Sequence, residues 1–115
     1  MSGPIQTFII AEARRLIEQP DNWCQGAFAI GTSGRRLVRG SQRATRHCAL
    51  SALTLAARNC IPNRREADAM VAGIVEWMAP ANVSFDQAER YVWSINDRHG
   101  HAAVLDLFET AAALR

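Results

Sequence analysis

The stretch that most constrains the fold is "ALSALTLAA", Ala49 to Ala57. Ala49, Leu50, Ala52, Leu53, Ala56 and Ala57 give it a broad apolar face, which fits a central, well-buried helix. The pattern and its flanks predict helix from about Ser41 to Arg58. Such a helix has to be covered by other apolar stripes, and the chain supplies four. The first begins near Pro4, whose fixed φ suits the first helical position, and sets Ile5, Ile9, Ala13, Leu16 and Ile17 on one face before Pro20 ends it. Asn63 with Glu66, and Ser84 with Gln87, have the spacing of a capping box. The first pair opens a stripe of Ala67, Met70, Val71, Ile74, Trp77 and Met78, which Pro80 stops. The second opens a stripe of Phe85, Ala88, Val92 and Ile95, with Tyr91 beside it. Val104, Leu105, Phe108, Ala111 and Ala112 mark a last helix running up to the C-terminus.

One region breaks the helical period. In "WCQGAFAIGTSGRRLVRG" short apolar stretches flank the turn-rich "GTSG", which predicts a β-hairpin of about Gln25–Ile30 with Arg35–Val38. A two-stranded ribbon is marginal alone, so it must lie against the helices, with Trp23 anchoring it. The expected fold is mainly α: about five helices packed with one hairpin, in a single domain over residues 1–115. A chain of 115 residues buries about two thirds of its unfolded surface and needs neither disulfide nor metal to fold. Cys24, Cys48 and Cys60 are odd in number and have no paired spacing. A helix carrying both Cys48 and Cys60 would hold them roughly 18 Å apart, so reduced thiols are expected. No apolar run approaches the ~20 residues that span a bilayer, and "FIIA" is too short for a signal-peptide core. The expectation is a cytoplasmic protein without a membrane role.

Three stretches carry a resemblance. "DNWCQGAFA", "CALSALTLAA" and "SINDRHGHAAVLDLFETA" resemble a family of small uncharacterised bacterial and phage proteins. Its members show a Trp-x-Gln-Gly segment, a hairpin, a Cys-Ala-rich helix, and an Asn-Asp pair before a final helix containing Val-Leu. The resemblance covers roughly Ala13 to Ala112 and implies the same α-rich fold with a hairpin. It brings no established activity. Between Arg39 and His47 this chain departs from the pattern, being longer and more basic there.

Charge is the strongest functional signal. All 13 basic residues are arginine. The 44 residues between Asp21 and Glu66 hold no carboxylate but contain Arg35, Arg36, Arg39, Arg43, Arg46, Arg58, Arg64 and Arg65, a formal +8. The rest of the chain carries −6, which leaves the net +2. Arg35, Arg36, Arg39, Arg43 and Arg46 form the candidate binding patch, and Arg39, Arg43 and Arg46 would share a helical face if the helix starts early. Guanidinium groups suit bidentate binding of carboxylate or phosphate. The expected role is a binding module that uses residues 35–65 to contact an acidic protein or a second subunit. The alternative is nucleic acid on the same patch, for which only Trp23 and Phe28 offer stacking nearby. A solvated face, or one paired with the acidic stretches Glu66–Glu76 and Asp86–Glu89, is the bland reading.

A third possibility is a small enzyme around "SINDRHGH". Asp97, His99 and His101 are the secondary candidates, with Cys24 or Cys48 as the nucleophile. The chain has no G-x-S-x-G, P-loop, G-x-G-x-x-G, H-E-x-x-H or C-x-x-C. No cofactor, metal site or catalytic set is therefore assigned. The segment is read instead as a joint: Asn96 ends one helix, Gly100 relaxes the turn, and Asp97 bonds amides at the start of the next. Of the tryptophans, Trp77 falls on a core stripe and Trp93 beside one, as an edge or interface residue.

Overall fold

The chain is described by a computed structural model, which covers residues 3–113. Five helices are formed among them: α1 (Pro4–Leu16), α2 (Ala49–Cys60), α3 (Arg64–Met78), α4 (Phe85–Ser94) and α5 (His101–Ala113). The expected run of the last helix to the C-terminus lies partly outside the described residues. Every residue from Ala49 to Ala57 is buried, so α2 is the central helix its composition demands. It packs on α1 and α3, while α5 lies against α1 and α4 against α3. Ile9, Ile10, Leu50, Leu53, Val71, Ile74, Val92, Val104 and Phe108 meet in one core.

The helix boundaries follow local chemistry. Pro4 occupies the first turn of α1, and the Gln6 side chain accepts from the Gly3 amide at 2.8 Å. Ser84 and Gln87 make both halves of a capping box on α4. Asn63 makes only the forward half on α3, its Oδ1 accepting from the Glu66 amide at 2.9 Å. Two outer positions differ from the stripes: Ile5 is 39% exposed and Phe85 36%, because each sits at the end of its helix beyond the core's edge.

The central helix starts eight residues later than expected. Gly40 takes a left-handed φ of +78°, and Ser41 to Thr45 form turns with no apolar period to bury. Cys48 is the N-cap of α2, its sulfur accepting from the Ser51 amide. Arg39, Arg43 and Arg46 therefore do not share a helical face.

The predicted hairpin is present but shorter, β1 (Ala29–Ile30) with β2 (Arg36–Leu37). A third strand, β3 (Arg46–His47), pairs with the other edge of β1, giving the antiparallel order β2-β1-β3. The register puts Ala29, Leu37 and His47 in one cross-strand row and Ile30, Arg36 and Arg46 in the next. Ala29 and His47 are buried, so the first row faces the helices. In the second row both arginines are exposed, while Ile30 between them is partly buried against the core. No helix among the described residues is long and apolar enough to cross a membrane.

Candidate functional site

The joint "SINDRHGH" is built around Asn96, which is completely buried. Helix α4 does not end there. It continues as a π-helical turn from Ile95 to His99, and Gly100, at φ +92°, closes it. Asn96 Oδ1 accepts from Trp23 Nε1 at 2.7 Å and from the Ala49 amide at 2.9 Å. Its Nδ2 donates to the Cys24 carbonyl and to Asp97 Oδ1, each at 3.0 Å. All four hydrogen-bonding positions of the carboxamide are thus used. The Ala49 amide is an orphan donor at the head of α2, so Asn96 also caps the central helix from 47 residues away.

The neighbours complete a clamp. Gln25 Nε2 donates to the Asn96 and Asp97 carbonyls at 3.2 Å each, and Asp97 Oδ1 accepts from the Gly26 amide at 3.1 Å. Asp97 therefore bonds the Trp-Cys-Gln-Gly segment rather than the start of α5. His101 Nε2 donates to the Ile17 carbonyl at 2.6 Å, and its ring lies 5.2 Å from that of Trp23. His99 is exposed and lines a shallow groove of about 300 Å³ with Tyr91, Ile95 and Asp106, a groove that neither Asp97 nor His101 enters. Asp97 and His101 are thus spent on separate internal contacts, and His99 stands apart from both on the surface. Trp23, Gln25, Asn96 and Asp97, which carried the resemblance as two distant motifs, are one structural cluster.

At the two buried thiols desolvation outweighs the nearby arginines. Burial pushes the Cys24 thiol up to about 11 and that of Cys48 to about 12. Neither is a thiolate near neutral pH. All three cysteines are free, Cys60 half-buried at the far end of α2 from Cys48. Among the described residues no group of three His, Cys, Asp or Glu side chains is placed to hold a metal ion.

The arginine-rich segment is held by a polar stripe on the otherwise apolar α2. Ser51 Oγ accepts from the Gly40 amide at 2.8 Å and lies 2.7 Å from His47 Nδ1. The serine has its own proton to give to that nitrogen, in keeping with a neutral imidazole; burial lowers the His47 pKa. Thr54 Oγ1 accepts from Arg39 Nε at 2.8 Å and donates to the Leu50 carbonyl. Arg39 also pairs with Glu89 on α4 at 2.5 Å and lies over the Phe28 ring, 5.9 Å from its centre. Arg58 makes two bonds to Asp68 on α3 and donates to the Arg39 carbonyl at 3.4 Å. A Cβ on Gly40 would come within 2.7 Å of Thr54 Cγ2, so only glycine lets the loop sit this close to α2.

The eight arginines thus divide. Arg39 and Arg58 face inward and pair with carboxylates from the acidic stretches of α3 and α4. Arg35, Arg36, Arg43, Arg46, Arg64 and Arg65 are exposed, and among the described residues none of them forms an ion pair. Arg36 and Arg46 flank Ile30 in the second row of the sheet, two strand spacings or roughly 10 Å apart. Arg43 and Arg64 line a separate open groove of about 440 Å³. The two rings expected to offer stacking have internal partners, Trp23 on His101 and Phe28 on Trp93, whose centre is 5.0 Å away. Trp77 is half-buried at the core's edge, its indole N–H donating to the Ala111 carbonyl.

The supporting residues Ser51, Thr54 and Arg58 did leave a mark in the sequence. At spacings of three and four they form the one polar stripe on an apolar helix, which is the signature of a helix that seats a polar loop. Strand β3 left none, being two residues inside an arginine-rich run.

The chain belongs to a protein family of unknown function, DUF6197, whose model matches residues 1–114. No curated protein matches it, and no solved structure does.

Proposed function

We propose that this chain is a binding module that presents its arginine-rich surface to an acidic protein, either a foreign partner or a second copy. The observation that supports this most directly is the division of the arginines. Two guanidinium groups are used to fasten the segment, and six stand exposed without an ion-pair partner among the described residues. Unpaired like charges held on a short sheet and an ordered loop repel one another, and a carboxylate-bearing surface relieves that repulsion. The proposal extends to a bacterial or phage protein of the cytoplasm, a setting in keeping with the resemblance and with free cysteines.

The test is a titration with poly-glutamate and with duplex DNA, at about 50 and about 200 mM salt, of the native chain and of a variant carrying Arg35→Glu, Arg36→Glu and Arg46→Glu. Poly-glutamate should bind the native chain more tightly than DNA and should lose at least tenfold in the variant. Five arginines engaged on DNA phosphates would instead give a log–log salt slope of roughly −4.5, or several hundredfold weaker binding across that range. That result would replace the acidic protein with nucleic acid. Absence of binding to either polyanion at low salt would overturn the module itself. Sedimentation at two concentrations separates the foreign partner from the second copy.

A further inference from the structure

The open groove beside the basic loop differs from the sheet face in carrying apolar surface as well as charge. It lies between the loop Val38 to Arg43, the end of α2 and the start of α3. Every ionisable side chain that lines it is an arginine: Arg43, Arg58 and Arg64. Arg58 is tied to Asp68, which leaves Arg43 and Arg64 as the groove's free cations among the described residues. Between them lie Val38, Leu55, Ile61 and Pro62. Val38 is 74% exposed, more than any other large hydrophobic side chain of the described residues.

The groove also ends at the head of a helix. The first turn of α3 leaves the Arg64 and Arg65 amides without a partner inside the helix, while the Asn63 side chain takes that of Glu66 and its carbonyl that of Ala67. Arg64 and Arg65 stand in that same turn, where a cation opposes the helix dipole by a few tenths of a kcal/mol. Side-chain charge and dipole therefore add to one positive field, which an anion in the groove would reverse.

Resting on the reading above, we infer that this groove is the docking site for an acidic peptide segment of a partner protein that carries an apolar side chain. Its carboxylates lie on Arg43, Arg64 and the start of α3, and its apolar group covers Val38 and fills the floor of Leu55, Ile61 and Pro62. Charge complementarity selects the acidic occupant. The aliphatic floor selects peptide over nucleic acid, because no aromatic side chain lines the groove to stack a base.

The experiment is a fluorescence anisotropy titration with a labelled Asp/Glu-rich peptide containing one central leucine. The same peptide with serine in its place, and a labelled single-stranded oligonucleotide, serve as comparisons. The leucine peptide should bind about tenfold tighter than the serine peptide, which is what burying one such side chain supplies. Arg43→Glu with Arg64→Glu should weaken both peptides more than tenfold. Val38→Ser should shrink the leucine preference about threefold and leave the serine peptide unchanged. All three positions are exposed, and glutamate at position 64 suits the α3 dipole, so no variant should unfold at a lower temperature than the native chain. Equal affinity for the two peptides, with arginine dependence kept, would overturn the groove inference and leave the wider reading standing. Binding that ignores all the arginines would remove both. An oligonucleotide held more tightly than the leucine peptide, or a concentration-dependent dimer broken by the Arg43 and Arg64 changes, would assign the groove to a different occupant and overturn the inference.

Discussion

Two regions of this molecule concentrate polar side chains, and they use them in opposite ways. In the clamp at Asn96 every carboxamide position has an internal partner, and the residue is fully buried. On the arginine face six guanidinium groups are exposed, with no ion-pair partner among the described residues. A cluster rich in Asn, Asp and His looks readier for chemistry than a run of arginines. Hydrogen-bond satisfaction reverses that ranking: a group whose donors and acceptors are all engaged inside the fold has nothing left for a ligand. The same contrast recurs within the arginine segment. Arg39 and Arg58 are fasteners, and the others are what they hold in place.

The comparison breaks first at Asn96. Asn96→Ala leaves the Trp23 indole N–H, the Ala49 amide and the Cys24 carbonyl unpaired in a buried place. It should cost about 3–5 kcal/mol, measured by urea unfolding, and lower the melting temperature by roughly 10–20 °C. A loss below about 1 kcal/mol would mean that water replaces the clamp and that the joint is looser than its geometry.

Arg39 sharpens the division between fasteners and free charges. Arg39→Met should cost about 1–2 kcal/mol, from its bonds to Thr54 and to the half-buried Glu89. A double-mutant cycle with Glu89→Gln should show coupling of about 0.5–1.5 kcal/mol. Absence of coupling would return Arg39 to the solvated set.

His47 offers a test by pH. Burial lowers its folded pKa, so the unfolded chain binds more protons at this site below the ordinary value of about 6.5. Its contribution to stability is complete above that value and is lost as pH falls from there toward the folded pKa. The slope is at most about 1.4 kcal/mol per pH unit. His47→Gln should flatten this part of the stability profile, below the ordinary value of about 6.5. An unchanged slope would show that His47 is not buried as a neutral imidazole.

The smallest effect on stability is expected at the exposed charges. Arg35→Glu with Arg36→Glu should shift unfolding by less than about 0.5 kcal/mol while weakening poly-glutamate binding severalfold. A large loss of stability there would show that these side chains fasten the sheet and are not held free for a partner.

The helices were legible because their signal is local. An apolar side chain every three or four residues, a proline at the first turn and a serine three residues before a glutamine are read within one or two turns of chain. The hairpin was legible for the same reason, through "GTSG". Strand β3 was not. Two residues have no periodicity, and Arg46–His47 is drawn into the sheet by the free edge of β1, which no local pattern reports. The neighbouring "SQRATRHC" reads as helix only while that edge is ignored. Trp23 and Asn96 were each legible as notable residues, but a hydrogen bond across 73 residues has no trace in either segment.

By itself the sequence determined where apolar surface must be buried, and with it the central α2 and its covering helices, along with the +8 segment that had to lie somewhere on the outside. Both follow from composition and period, which act over a few residues. Only the tertiary structure decided which polar groups are satisfied. Pairing Arg39 with Glu89, Arg58 with Asp68 and Asn96 with Trp23 depends on side chains that meet across 50, 10 and 73 positions of chain. Directional bonds a few ångströms long are made by packing, and those same bonds separate the arginines that build the fold from those it displays.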